Sequence, residues 1–151
     1  SGGSAFSAMA NFGRTDWITA SSACAFGHPS PVALSKVFVG GITAYHGRPK
    51  LTLLNVPVET LRNAGSVSEE ATVAMARGGR EALQVDICVA ESGIAGPSSS
   101  PDRPGGLYWI AVSGADGDRA EQHVFPGDRE ATKLAATEAA LRLVLATIDR
   151  R

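Results

Sequence analysis

Hydrophobic residues in this chain repeat at two different intervals, and the alternation between them most narrows the folds open to it. Short runs such as Val37-Phe38-Val39 and Ile87-Cys88-Val89 carry β-favouring side chains. The last part of the chain instead places Leu134, Leu141, Leu145 and Ile148 at helical steps of seven, four and three. Strand-type and helix-type stretches follow one another along one short chain. That order favours an α/β layered domain over an all-α or all-β one.

The Ala-rich stretch 5–12 reads as a weak helix that breaks near Gly13, preceded by a flexible Ser1-Gly2-Gly3-Ser4 leader. Residues 1–12 are therefore expected to be leader and weak helix, and 13–151 one domain. Trp17-Ile18-Thr19-Ala20 suits a short strand, and Pro29 and Pro31 make 21–31 a loop. Residues 37–45 read as a buried strand in which Gly40-Gly41 marks a bulge or a close backbone approach. A helical turn is expected at 51–54, and a second helix opening at Pro57 and closing at Gly65. A long helix over 68–83 follows, capped by Ser66 or Ser68, with Glu69 and Glu70 at the positive end of its dipole. Residues 85–90 form the next strand and 93–106, rich in Gly, Pro and Ser, a long loop. Strands at 107–112 and 122–125 pair around a turn at 114–117. Asp128 caps the last helix, whose leucine stripe is expected to face the core, interrupted by Glu138.

Composition narrows the function. A formal net charge of -1 from 14 basic and 15 acidic side chains lacks the basic field a dedicated nucleic-acid binder needs. No run approaches the ~20 apolar residues of a membrane span, and the N-terminal residues lack the charged and apolar regions of a secretory signal. Cys24 and Cys88 form no C-x-x-C pair and read as separate thiols, so the cytoplasm is the expected compartment. His28, His46 and His123 have no ligand-like spacing, and no metal site is expected.

Three clusters could carry chemistry. Thr19-Ala20-Ser21-Ser22-Ala23-Cys24 follows a strand, where open sheets place ligands, although serines also fill ordinary tight loops. Residues 45–50 put Tyr45 and Lys50 after an apolar run; a lysine desolvated there becomes a usable base, while a solvated one does not. Gly93-Ile94-Ala95-Gly96-Pro97 and Ser98-Ser99-Ser100 offer backbone and hydroxyl donors to an anion, or simply a turn.

Taken in order, these segments resemble the CinA C-terminal domain family, whose active members are nicotinamide-nucleotide amidases. The matching residues are Phe38-Val39-Gly40-Gly41-Ile42-Thr43-Ala44-Tyr45, then Lys50, Leu54-Asn55-Val56-Pro57, Glu59-Thr60-Leu61 and Gly65-Ser66-Val67-Ser68-Glu69-Glu70. Gly93-Ile94-Ala95-Gly96-Pro97 and Phe125-Pro126-Gly127-Asp128-Arg129 complete the set. The resemblance implies a single three-layer α/β/α sandwich. It also implies an amidohydrolase that turns nicotinamide mononucleotide into nicotinate mononucleotide and ammonia, with no metal or cofactor, and a homo-oligomer.

The family pattern Y-x-x-x-x-K falls on Tyr45 and Lys50 without a gap. Anchoring the family's T-A-E-S-C-T-G-G on Thr19-Ala20 puts Ser22 at the nucleophile position; anchoring on Cys24 and Gly27 would put Ala23 there. The first register preserves the strand-to-loop junction. The implied catalytic set is then Ser22, Tyr45 and Lys50. Ala23, Gly93, Ile94, Ala95, Gly96, Ser98 and Arg103 would hold the substrate, Ser98 and Arg103 toward its phosphate. In place of the motif's glycine pair stand Ala25-Phe26. The interval from Ser22 to Phe38 is shorter than in the family pattern, which shortens the helix that should follow, and Pro29 and Pro31 would disrupt what is left of it. These departures leave open a catalytically silent domain that binds a nucleotide or a protein partner.

Overall fold

The computed structural model describes residues 5–6, 9–12, 38–96 and 103–150. Its elements are β1 (Ala5–Phe6), β2 (Met9–Phe12), α1 (Gly47–Leu54), α2 (Val58–Asn63), α3 (Glu69–Leu83), β3 (Ile87–Ile94), β4 (Leu107–Gly114), β5 (Gly117–Val124) and α4 (Arg129–Ile148). The strands form one antiparallel sheet in the order β1-β3-β4-β5, with β2 also on the free side of β3. The pairs Phe6 with Gly93 and Met9 with Ala90 share one register, so β1 and β2 lie end to end along the same edge.

Side chains alternate across β3 because successive residues of a strand point to opposite faces. Cys88 and Ala90 enter a core with Leu54, Val56, Met75 and Ala76 from the α1–α3 side. Ile87 and Val89 enter a second core with Ile110, Val112, Leu143 and Val144, under α4. Helices therefore cover both faces, and the three-layer α/β/α architecture is the observed one.

Local signals set most boundaries. Ser68 Oγ accepts from Ala71 N at 3.2 Å to cap α3, and Asp128 Oδ1 accepts from Ala131 N at 2.9 Å to cap α4. The α1 helix ends at Asn55, whose left-handed backbone (φ 50°) turns its N–H back to the Lys50 carbonyl. At Gly78 of α3, a Cβ would stand 1.7 Å from the Leu54 carbonyl oxygen. A glycine there lets α1 lie directly on the α3 backbone.

Several expectations are corrected. Residues 5–6 and 9–12 are strands, not helix: the edge of β3 offers a row of free backbone partners, which outweighs a weak helical propensity. Residues 38–45 join no strand ladder, although their burial alternates and Ile42 and Ala44 pack into the α1–α3 core. The α1 helix begins at Gly47, earlier than the expected turn, with His46 Nδ1 accepting from Arg48 N at 3.4 Å. Gly93 and Ile94 belong to β3, not to the loop after it. The stripe of α4 faces the core only in part: Leu141 and Ile148, beyond the interruption at Glu138, pack on it, but the stripe as a whole does not. Thr132, Ala136, Leu143, Val144 and Thr147 are buried, whereas Leu134 and Leu145 are 65% and 44% exposed. The expected strand at 17–20 lies outside the described residues.

Candidate functional site

Lys50 has the least ordinary environment of any charged side chain described. It is the fourth residue of α1, on the face turned into the core, and is 1% exposed. Its Nζ donates to the Ser66 carbonyl at 2.9 Å and to Ser92 Oγ at 3.1 Å. Ser92 Oγ donates in turn to the same Ser66 carbonyl at 2.7 Å, and Ser92 is fully buried. Three distant parts of the chain thus meet at one amine: α1, the turn before α3, and β3.

Position on the sheet explains the meeting. Ser92 shares a face with Cys88 and Ala90, the face covered by α1 and α3, because it lies an even number of residues from them. Burial disfavours the charged ammonium and lowers the Lys50 pKa from 10.5 to about 8. A neutral amine has two N–H bonds, which match the two acceptors, and a lone pair left over. The arrangement can hold a lysine ready to accept a proton near neutral pH.

The neighbouring residue faces the other way. Glu91 lies on the α4 side of β3, where burial raises its carboxyl to about 7. Burial likewise pushes the Cys88 thiol up to about 12, so this free cysteine is held as the unreactive thiol.

The other residues singled out from the sequence are distributed as follows. Tyr45 is 54% exposed just before α1 and makes no hydrogen bond to Lys50. Arg103 is exposed; its Nη2 reaches the Ala64 carbonyl at 3.4 Å, and its guanidinium lies over Gly65 (φ +87°), one residue from Ser66. Arg103 therefore stands on the turn that holds Lys50. Its partner Ala64 also lines an open cavity of about 450 Å³ with Glu59, Thr60, Asn63 and Glu70.

Gly93 is covered by the Tyr108 ring, 2.2 Å from where a Cβ would be, so its glycine serves packing. The Ile94 carbonyl accepts from Gly106 N at 2.7 Å, and that of Ala95 from Thr132 Oγ1 at 3.4 Å. Around Gly96, by contrast, a Cβ would meet none of the described residues within 4 Å. Ser22, Ala23 and Ser98 lie outside the described residues.

Ser92 and the Ser66 carbonyl were not legible as site groups. A serine inside an apolar strand looks like packing, and a backbone carbonyl carries no side-chain signature. The available signal was adjacency, since Ser92 directly precedes Gly93-Ile94-Ala95-Gly96. Among the described residues no three His, Cys, Asp or Glu side chains gather as a metal would require, and no helix is long and apolar enough to cross a membrane.

Comparison with known proteins agrees with this architecture. The model of the CinA C-terminal domain family matches residues 31–148. A putative competence-damage inducible protein of Desulforamulus reducens is 40% identical over 109 residues, covering 72% of this chain and 26% of that protein. A CinA-like protein of Parasynechococcus marenigrum is 48% identical over 96 residues, covering 63% and 23%. The chain spans about a quarter of the length of the curated relatives it matches. Among solved structures, the competence or damage-inducible protein from Enterobacter asburiae superposes with a TM-score of 0.66 at 29% identity, covering 70% of this chain and 67% of that one.

Proposed function

This chain belongs to the CinA C-terminal domain family, and we propose that it is a nicotinamide-nucleotide amidase, hydrolysing nicotinamide mononucleotide to nicotinate mononucleotide and ammonia with Lys50 as its base. The observation that carries this reading is the buried amine, lowered to about 8 and anchored to Ser66 O and Ser92 Oγ. Family correspondence supplies Ser22 as the nucleophile and Tyr45 as the group that orients the amine or relays its proton.

In this scheme Ser22 Oγ adds to the carboxamide carbon while Lys50 Nζ takes the hydroxyl proton. The oxyanion is met by backbone N–H groups at Ala23 and the residues after it. Lys50 returns the proton to the departing nitrogen as the C–N bond breaks, releasing ammonia. Water then adds to the acyl-enzyme, giving Lys50 a proton that restores the serine hydroxyl. Ser92 and Ser66 O keep the amine in place throughout. Arg103, Ser98 and the backbone at Ala95 and Gly96, just beyond β3, hold the phosphate end, and the protein works as a cytoplasmic homo-oligomer in NAD metabolism.

The test is ammonia release from nicotinamide mononucleotide by the purified chain. Wild type is expected to release it with a rate that rises through pH 8, and Ser22→Ala and Lys50→Met to release none. Binding of the nucleotide without any ammonia release by wild type would establish the silent, nucleotide-binding domain instead.

A further inference from the structure

The turn between α2 and α3 anchors Lys50, and its own shape is held through side chains. Ala64 O accepts from Arg103 Nη2 at 3.4 Å, and Gly65 O from Ser68 Oγ at 3.1 Å. Ser66 O accepts from Lys50 Nζ at 2.9 Å and from Ser92 Oγ at 2.7 Å. Among the described residues, none of these three carbonyls accepts from a backbone N–H. The terminal edge of the Arg103 guanidinium is seated against Gly65: a Cβ there would stand 2.7 Å from Nη2 and 3.1 Å from Nη1. Only glycine leaves that space, and its φ of +87° favours glycine as well. Arg103 itself stands on a fixed base. Three residues on, Gly106 N donates to the Ile94 carbonyl at 2.7 Å, clipping the start of β4 to the end of β3.

We propose that Arg103 is a positioning residue for Lys50, clamping the 64–66 turn so that the Ser66 carbonyl stays on the buried amine. The clamp rests on the reading of Lys50 as the base, and gives that base a support it does not touch. The guanidinium occupies the space over Gly65, and the next carbonyl along the chain is the one that Lys50 and Ser92 share. Without the arginine, the Ala64 carbonyl loses its partner and the space over Gly65 opens to solvent. The turn can then swing from the amine and admit water, which favours the ammonium form and raises its proton affinity. Nearby charges offer no second route to that effect. Cys88, on the same face of β3, is held as the thiol, while Arg48 of α1 and Glu69 and Glu70 of α3 are exposed. Burial is what lowers the amine, and burial is what the turn controls. A guanidinium has N–H groups to spare for the phosphate end of the substrate, so the clamp adds to that role.

Carbon NMR of the chain labelled at lysine Cε tests it without substrate. There are three lysines, Lys36, Lys50 and Lys133, and the Lys50 signal is the one lost in Lys50→Met. Following each signal against pH gives each titration midpoint directly. Wild-type Lys50 is expected to titrate at about 8. Arg103→Ala should raise that midpoint by about one pH unit, a roughly tenfold fall in neutral amine at pH 7. Arg103→Lys keeps the charge but not the two-nitrogen edge seated on Gly65, so the midpoint should stay raised. Lys133, paired with Glu130 on α4, should not move in either variant. An unchanged Lys50 midpoint in Arg103→Ala overturns the proposal. Full restoration in Arg103→Lys also overturns it, by assigning the effect to charge. So does a Lys133 midpoint that moves in step, the mark of general loosening. Because no ammonia is measured, a protein that shows the Lys50 shift yet hydrolyses nothing would overturn the amidase reading alone and leave the clamp supported.

Discussion

Lys50→Met should make the protein more stable at neutral pH while removing its base. Holding the Lys50 amine at about 8 instead of 10.5 costs the folded state about 3 kcal/mol when the group is protonated, at 1.36 kcal/mol per pH unit. The bonds to Ser66 O and Ser92 Oγ return about 1 kcal/mol each. Methionine replaces the buried stem with a flexible apolar one, and Ser92 keeps its bond to Ser66 O. The variant should therefore gain about 1–2 kcal/mol at pH 7.

The sign follows from linkage. A lysine pKa depressed in the folded state stabilises above its unfolded value, and that contribution is lost as pH falls through the folded one. Wild type thus recovers about 2 kcal/mol relative to the variant between pH 7 and 9.5. Urea denaturation of both proteins at the two pH values measures the gap. A gap of equal size at both would refute the claim that burial holds this amine at a lowered pKa.

Two further outcomes follow from neighbouring groups. Glu91 has the opposite shift, up to about 7 from 4.5, so its contribution to stability is complete below 4.5 and lost as pH rises through 7. Glu91→Gln should therefore stabilise by about 2 kcal/mol at pH 8 and little at pH 4.5; thermal melts showing the same gain at both would count against it. Gly78→Ala forces a methyl to within 1.7 Å of the Leu54 carbonyl oxygen, where backbone must move. It should cost about 1–3 kcal/mol and, by lifting α1 from α3, raise the pH at which the Lys50 amine becomes reactive toward an acylating reagent. Unchanged stability and reactivity would show that the helices do not need the close approach.

The sequence by itself carried what depends on near neighbours. Ser68 followed by Glu69 and Glu70 marks the start of α3, because a cap and a helix dipole act within one turn. The glycines at 114 and 117 mark the β4–β5 turn for the same local reason. Lys50 could be named as a candidate base from its place after an apolar run and from the family pattern. Its partners could not. That Ser92 and Ser66 O meet it depends on which face of β3 is turned to α1, and on Gly78 letting that helix come close.

The orientation of α4 was beyond the periodicity of its residues. Two faces of that helix carry apolar groups, and the leucine-rich one is the more hydrophobic. The sheet nevertheless presents Tyr108, Ile110 and Val112 toward the helix, and these are met by Ala136, Leu143 and Val144, with Ala139, Ala140, Leu141 and Ile148 at the margin. Ala136 against the Tyr108 ring, and Leu143 and Val144 against Ile110 and Val112, fill the layer as close-packed interiors require. Which stripe is buried is therefore a property of the two surfaces together. The sequence determined that α4 is a helix with apolar residues to bury. The shape of the facing sheet decided which of them it buries, and left Leu134 and Leu145 outside.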